Sequence, residues 1–381
     1  MEKEHEAILE FDDIRPYNDS EVHEKLSSLL NEEEFHTALK FILHDDEYNR
    51  MLETIKQVSS VDAFQQEIIY PVLQKIIRSS IDELSYFNIE QLAPNQNYLF
   101  ISNHRDIVMD SALINNGLVS NGMPTHEIAI GNNLISLDWV RRLVRLNKNF
   151  IVRRDVERHD LYKASLKLSK YIHFALTGKN QSVWIAQREG RAKDGNDFTQ
   201  PSLIKMLLLN TENKDIKTYL EQLNIIPVSI SYEYDPTDLL KLNELVAKSK
   251  GETYEKKPGE DEQHMITGII GYKGNVNITF GTPLNERIDE INFDNKLNQI
   301  VQQITKIIDE EIILNYHLTD VNHAAYELLK NKKTIEQISN ELQEFKNRYG
   351  KLLEAPPEYM QQWLAMYANP VNNKLKLKQD D

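Results

Sequence analysis

The chain has 381 residues, 40% hydrophobic and 27% charged, a balance that fits a soluble globular protein with one sizeable core and accessory elements, or with two domains. Its net charge of −15 argues against general nucleic-acid binding, which needs clustered cations, and against broad electrostatic adhesion to anionic lipid beyond a local basic patch. The absence of cysteine excludes disulfides and Cys-ligated zinc or iron–sulfur centres.

Residues 1 to about 92 are acidic and carry helical periodicity. Leu26, Leu29, Leu30, Phe35, Leu39, Ile42 and Leu43 recur at roughly helical spacing, and 67–84 repeats the pattern. Pro71 is expected to kink or start a helix, because it lacks an amide N–H. The charged start Met1-Glu2-Lys3-Glu4-His5-Glu6 has no following apolar region of a secretory signal. No run reaches the ~18–20 apolar residues of a membrane span. The expectation is a cytoplasmic protein, at most peripheral at the inner face of a membrane.

From Asn97 onward, short apolar runs alternate with helical stretches. Strands are predicted at 98–102, 127–130, 150–153, 182–186, 225–232 and 276–280, and helices at 107–118, 137–146, 161–176 and 202–209. The alternation predicts an α/β fold, a mostly parallel central sheet flanked by helices, with helical additions at both ends. The expected division is a helical accessory region over 1–92, an α/β domain over 93–284 and a C-terminal helical region over 285–381, including helices at 297–313 and 324–342. Residues 251–262 are polar and read as a mobile surface loop. Parallel strands gather the loops after their C-terminal ends along one edge, where α/β proteins usually bind ligands.

Several of these strands run into polar clusters. The first is followed by Asn103-His104-Arg105-Asp106-Ile107-Val108-Met109-Asp110. A His–carboxylate pair at a strand end can take a proton from a hydroxyl near neutral pH, since unperturbed imidazole titrates at roughly 6.5. Taken alone, His104 is as well read as a loop histidine and Asp106 as a helix cap. The third strand delivers Arg153 and Arg154, the fourth runs into Gln187-Arg188-Glu189-Gly190-Arg191, and the fifth carries Ile226-Pro227-Val228. Arginine binds phosphate through a planar fork that lysine cannot copy. The combination implies activation of a hydroxyl on a phosphate-bearing substrate.

Other readings are weaker. His104-Arg105-Asp106 spells the kinase catalytic-loop tripeptide, but Ser111 stands where that motif needs Asn, and the glycine-rich loop and Asp-Phe-Gly are missing. His126, His159, His173 and His264 have no metal-ligand spacing, so no metal or cofactor is expected. Arg141, Arg142 and Arg145 read as the solvated face of an amphipathic helix. Tyr359, Trp363 and Tyr367 form a stripe better read as core or docking surface, while Met360, Trp363, Leu364 and Met366 make a candidate interfacial patch.

Together, the segments from His104 to Asp110, Phe150 to Arg154, Gln187 to Arg191 and Ile226 to Tyr234 resemble the four motifs of the glycerolipid (glycerol-phosphate) acyltransferases. With Ala129 to Leu134 and Gly274 to Leu284, the likeness spans about Asn97 to Pro283 and is nearest to the bacterial glycerol-3-phosphate branch. It implies transfer of an acyl chain from acyl-CoA or acyl-carrier protein to a hydroxyl of glycerol 3-phosphate or its monoacylated product, in phospholipid synthesis. His104 would be the general base, oriented by the family's acid. Arg154, with Arg153 beside it, and Glu189, Gly190 and Arg191 would serve the substrate phosphate. Pro227 would be structural. No covalent acyl-enzyme is implied. The family places four residues between histidine and acid; here five precede Asp110 and one precedes Asp106. On a helix both acids would face the same way, so spacing leaves both open, and the end of the motif, Met109-Asp110, favours Asp110. One residue is missing between Gly190 and Arg191. These departures keep two alternatives in view, a non-catalytic lipid- or carrier-binding relative and an acyltransferase for a non-phosphate acceptor such as an amino-acid lipid.

Overall fold

The computed structural model describes residues 9–211, 215–330 and 332–380; the stretch Met1–Glu6 lies outside them. The α/β fold is as expected. Strands β1 (Glu83–Phe87), β2 (Leu99–Ser102), β3 (Glu127–Gly131), β4 (Asn149–Val152), β5 (Val183–Ala186), β6 (Ile225–Tyr232) and β7 (Asn275–Phe280) form one sheet in the order β1-β7-β6-β2-β5-β3-β4. Strands β6, β2, β5, β3 and β4 are mutually parallel; β7 runs antiparallel to β6, and β1 follows β7.

Strand alternation sends side chains to two separate cores. Leu99, Ile101, Val183, Ile185 and Phe150 pack with the helices Leu161–Thr177, Pro201–Leu207, Ile216–Leu223 and Leu297–Asn315. Phe100, Trp184, Ile226 and Ile278 pack on the opposite face with Tyr70–Ser80 and Met109–Ser120. Every residue of β2 and β6 is buried, so these strands can end in a polar loop without moving. Among the described residues, no helix is long and apolar enough to cross a membrane.

Five expectations need correction. The N-terminal region is not helical throughout: the helix with Pro71 in its first turn ends at Ser80, and β1 follows. Ile81 and Leu84 satisfy helical spacing, but Lys273 and Gly274 capture this backbone, through Lys273 N–H to the Ser80 carbonyl (2.8 Å) and Asp82 N–H to the Gly274 carbonyl (2.9 Å). The helix expected over 324–342 is Asp320–Leu329 followed by a short turn at Ile335–Gln337, where Thr334 and Gln337 cap each other. The loop expected over 251–262 already contains the start of helix Glu260–Ile270, entered through Gly259 at φ +79°. The candidate interfacial patch is interior. Trp363, Leu364 and Met366 are buried in a C-terminal core, and Trp363 Nε1 donates to Asp238 Oδ2 at 2.8 Å. The arginine face of helix Asp138–Leu146 is solvated only at Arg141, which is exposed: Arg142 pairs with Glu32, and Arg145 donates to the carbonyls of Arg15 (2.9 Å) and Asp12 (2.8 Å).

Candidate active site

β2 stops pairing with β6 at Ser102, and the Asn103 side chain continues the ladder. Its Oδ1 accepts from Ile230 N–H at 2.8 Å and its Nδ2 donates to the Ile230 carbonyl at 2.9 Å. His104 is thereby set at the C-terminal edge of the sheet. Its carbonyl accepts from Ala192 N–H at 2.9 Å, and its ring meets Trp184 edge-on with centroids 5.7 Å apart. The His104 side chain keeps 13% of its surface in solvent.

His104 Nδ1 lies 2.8 Å from Asp110 Oδ2. Asp110 is fully buried and held by three other donors: the amides of Arg105 (2.7 Å) and Asp106 (3.0 Å), and the Tyr232 hydroxyl (2.8 Å to Oδ1). Burial, then the neighbouring Asp110, raises the Tyr232 pKa well above its ordinary value, so the phenol stays a donor. A carboxylate surrounded by donors accepts from Nδ1–H, which leaves the lone pair of the neutral ring on Nε2. Nε2 has no hydrogen-bond partner among the described residues.

Asp106 does something different. Its Oδ1 accepts from Val108 N–H (2.9 Å) and Met109 N–H (2.8 Å), turning the chain into the helix that begins at Met109. Val108 is the N-cap residue itself, so Asp106 caps from two positions earlier. Its Oδ2 is buried, without a partner among the described residues, against Gly268, where a Cβ would lie 2.0 Å away. Burial, then the charge of Asp110, pushes its carboxyl up. Arg105 is absorbed by structure: its buried guanidinium donates to Asp197 at 2.5 Å, and its carbonyl accepts from buried Lys241 at 3.0 Å.

The loop after β5 is pinned beside this pair. Gln187 N–H donates to the Ser102 carbonyl (2.8 Å), Gln200 N–H to the Gln187 carbonyl (2.9 Å), and Ala192 N–H reaches His104. Arg191 therefore adjoins the histidine loop, with Gly190 supplying the turn at φ +69°. Arg191 Nη2 contacts His264 Nδ1 at 2.9 Å, and its Nη1 is buried without a partner among the described residues. Arg154 follows the edge strand β4 and, like Arg153, is exposed. Its amide donates to Asn132 Oδ1 at 2.9 Å, and its Nη1 lies 3.7 Å from Glu189 Oε1. Gly131 leaves room for it, since a Cβ there would sit 2.8 Å from Arg154 Nε. Arg153 is exposed at the end of β4 and joins none of these contacts. Pro227 lies on β6 beside Ile101, its carbonyl accepting from Gly281 N–H at 2.8 Å.

Tyr232 and His264 enter the site without having been singled out as site residues: Tyr232 lies within the motif-like segment Ile226 to Tyr234, and His264 stood among the scattered histidines. Tyr232 closes the stripe Ile226, Val228, Ile230 on β6 and reads there as one more core residue. A polar hydroxyl ending an apolar stripe at the site edge is the one available signal. His264 lies on helix Glu260–Ile270, between the motif-like segments Ile226 to Tyr234 and Gly274 to Leu284.

Behind the loop, Asp309 accepts from Thr199 N–H at 2.7 Å, and burial pushes its carboxyl up to about 7. A raised folded-state value means that the native protein binds more protons than the unfolded chain between about pH 4 and pH 7. Stability is thus lost as pH rises through that window. Asp309→Asn keeps the acceptor and removes the ionisation. The variant should match wild type in urea midpoint near pH 4 and exceed it at pH 8.

Residues 83–231, from β1 into β6, match the family model described as Acyltransferase, which supports reading this segment as an acyltransferase domain. Among solved structures, the chain is similar to the crystal structure of the 1-acyl-sn-glycerophosphate (LPA) acyltransferase of Thermotoga maritima. The identity is 12% and the TM-score 0.37, over 78% of this chain and 96% of that one. A comparison with curated proteins gives no match.

Proposed function

We propose that the chain is a glycerolipid O-acyltransferase of phospholipid synthesis, taking a fatty acyl group from acyl-CoA or acyl-carrier protein. The acceptor is a hydroxyl of glycerol 3-phosphate or 1-acylglycerol 3-phosphate. The observation that carries this reading is the His104–Asp110 pair, buried on one side and open at Nε2, beside Arg191 within the acyltransferase segment.

In this reading Nε2 takes the proton of the acceptor hydroxyl as its oxygen attacks the thioester carbonyl. Asp110 holds the ring and stabilises the imidazolium that forms. Collapse of the tetrahedral intermediate breaks the C–S bond, and the imidazolium returns the proton to the departing thiolate. The acyl group passes directly to the acceptor, which suits a chain without cysteine. Arg191 and Arg154 hold the phosphate, with Glu189 keeping Arg154 turned inward and Gly190 allowing the bend, and Arg153 adds charge at the rim. The fatty acyl product suits a cytoplasmic protein that meets the inner face of a membrane at most peripherally.

A radiolabelled acyl-transfer assay offering glycerol 3-phosphate and lysophosphatidate side by side, each with acyl-CoA and acyl-carrier protein, tests the proposal. Ester formation on a phosphorylated glycerol supports it. Transfer only to a phosphate-free acceptor, or to none, overturns it. Arg191→Ala should raise KM for the phosphorylated acceptor about 10–100-fold, the equivalent of one charge-assisted hydrogen bond, while kcat changes little. An unchanged KM removes Arg191 from the phosphate site.

A further inference from the structure

Arg191 is held by a neutral partner, and its two cationic neighbours are held by acids. Lys193 pairs with Glu244, and Lys241 pairs with Asp235. Arg191 instead meets the Nδ1 of His264, a residue only 2% exposed on helix Glu260–Ile270. We propose that His264 is a positioning residue that orients Arg191 toward the acceptor's phosphate without cancelling its charge; this rests on the phosphate role given to Arg191 above.

The chemistry of the contact is one-directional. A guanidinium only donates, so Nδ1 must present its lone pair and the ring must be neutral. Burial, then the positive Arg191, Lys193 and Lys241, pushes the His264 pKa down to about 4 against the opposing charge of Glu260, so the ring stays an acceptor at neutral pH. One fixed acceptor on Nη2 sets the plane of the whole fork. Nη1, buried and without a partner among the described residues, then has a defined direction. A carboxylate in place of His264 would fix the same plane and also neutralise the charge, leaving a phosphate dianion less to bind. A neutral acceptor supplies direction and keeps the cation available.

The test compares His264→Asn, His264→Leu and His264→Asp in the full-length protein. Each is read for KM and kcat with glycerol 3-phosphate and for binding of inorganic phosphate by calorimetry. Asn places an amide oxygen near the position of Nδ1 and should hold KM within about threefold of wild type. Leu should raise KM about tenfold and Asp by more, with kcat within about threefold throughout; phosphate binding should weaken in the same order. Equal loss in Asn and Leu, or a fall in kcat with unchanged KM, overturns the proposal as a general packing defect. Should Leu fail to fold, the Asn and Asp variants decide, because both retain a polar group that meets the guanidinium. If wild type shows no acyl transfer but phosphate binding follows the expected order, the functional reading fails and the positioning role of His264 stands. If wild type binds no phosphate, the positioning role falls.

Discussion

Replacing His104 by alanine should lower kcat by at least about 10²–10⁴-fold, the usual contribution of a general base, while the fold and acceptor affinity remain near wild type. The reason for the separation lies in the backbone. The His104 carbonyl bond to Ala192, which ties the two active-site loops together, does not involve the side chain. Asp110 loses only one of its four donors and keeps Arg105 N–H, Asp106 N–H and the Tyr232 hydroxyl. No buried charge is stranded, so the destabilisation should be about 1 kcal/mol, the net worth of one hydrogen bond. Initial rates of acyl transfer together with thermal unfolding check both halves. A variant that transfers acyl groups at near-normal rate would remove His104 from the chemistry.

The second large effect separates the two aspartates. Asp110→Asn should cost up to about 10⁴-fold in kcat, the scale seen when the orienting acid of a hydrolase triad is amidated. The amide would have to point its NH₂ at one of the donors that now converge on Asp110, and it would favour the wrong ring tautomer. Asp106→Asn should leave kcat within a few-fold. Its amide oxygen can still accept from Val108 and Met109, and Asn caps helices about as well as Asp. It should also be no less stable at neutral pH: the folded-state pKa of Asp106 is raised, so its ionisation costs stability as pH rises, and Asn removes that cost. Comparing kcat and urea midpoints of the two variants tests this. Loss of activity in Asp106→Asn with retention in Asp110→Asn would reverse the assignment.

Much of the sheet was legible because its strands are short, apolar and bounded by polar turns. Ile225–Tyr232 is a continuous buried run, and its reading needs no partner. β1 was not legible, because Ile81 and Leu84 continue the helical spacing of the preceding residues while the break after Ser80 is made by Lys273 and Gly274, almost 200 positions away. The same limit applies to Trp363. An aromatic stripe at helical spacing reads the same whether it faces lipid or protein, and here its partner is Asp238, 125 positions earlier. At the site, His104 and both acids stood out by residue type. Their relation depended on where the helix starts: at Met109 only Asp110 is helical, and the shared face expected of residues four apart does not form. Arg191 was marked by its motif, whereas the neutral ring beside it was not, since a histidine accepting from a guanidinium is defined by contact alone.

The most direct measurement follows thiol release from acyl-CoA by the purified wild-type protein, with and without glycerol 3-phosphate or lysophosphatidate, against His104→Ala. The account predicts release only when an acceptor is present, equimolar with ester formed, and abolished in the variant. Release at the same rate without acceptor, or ester formation that persists in His104→Ala, would contradict it.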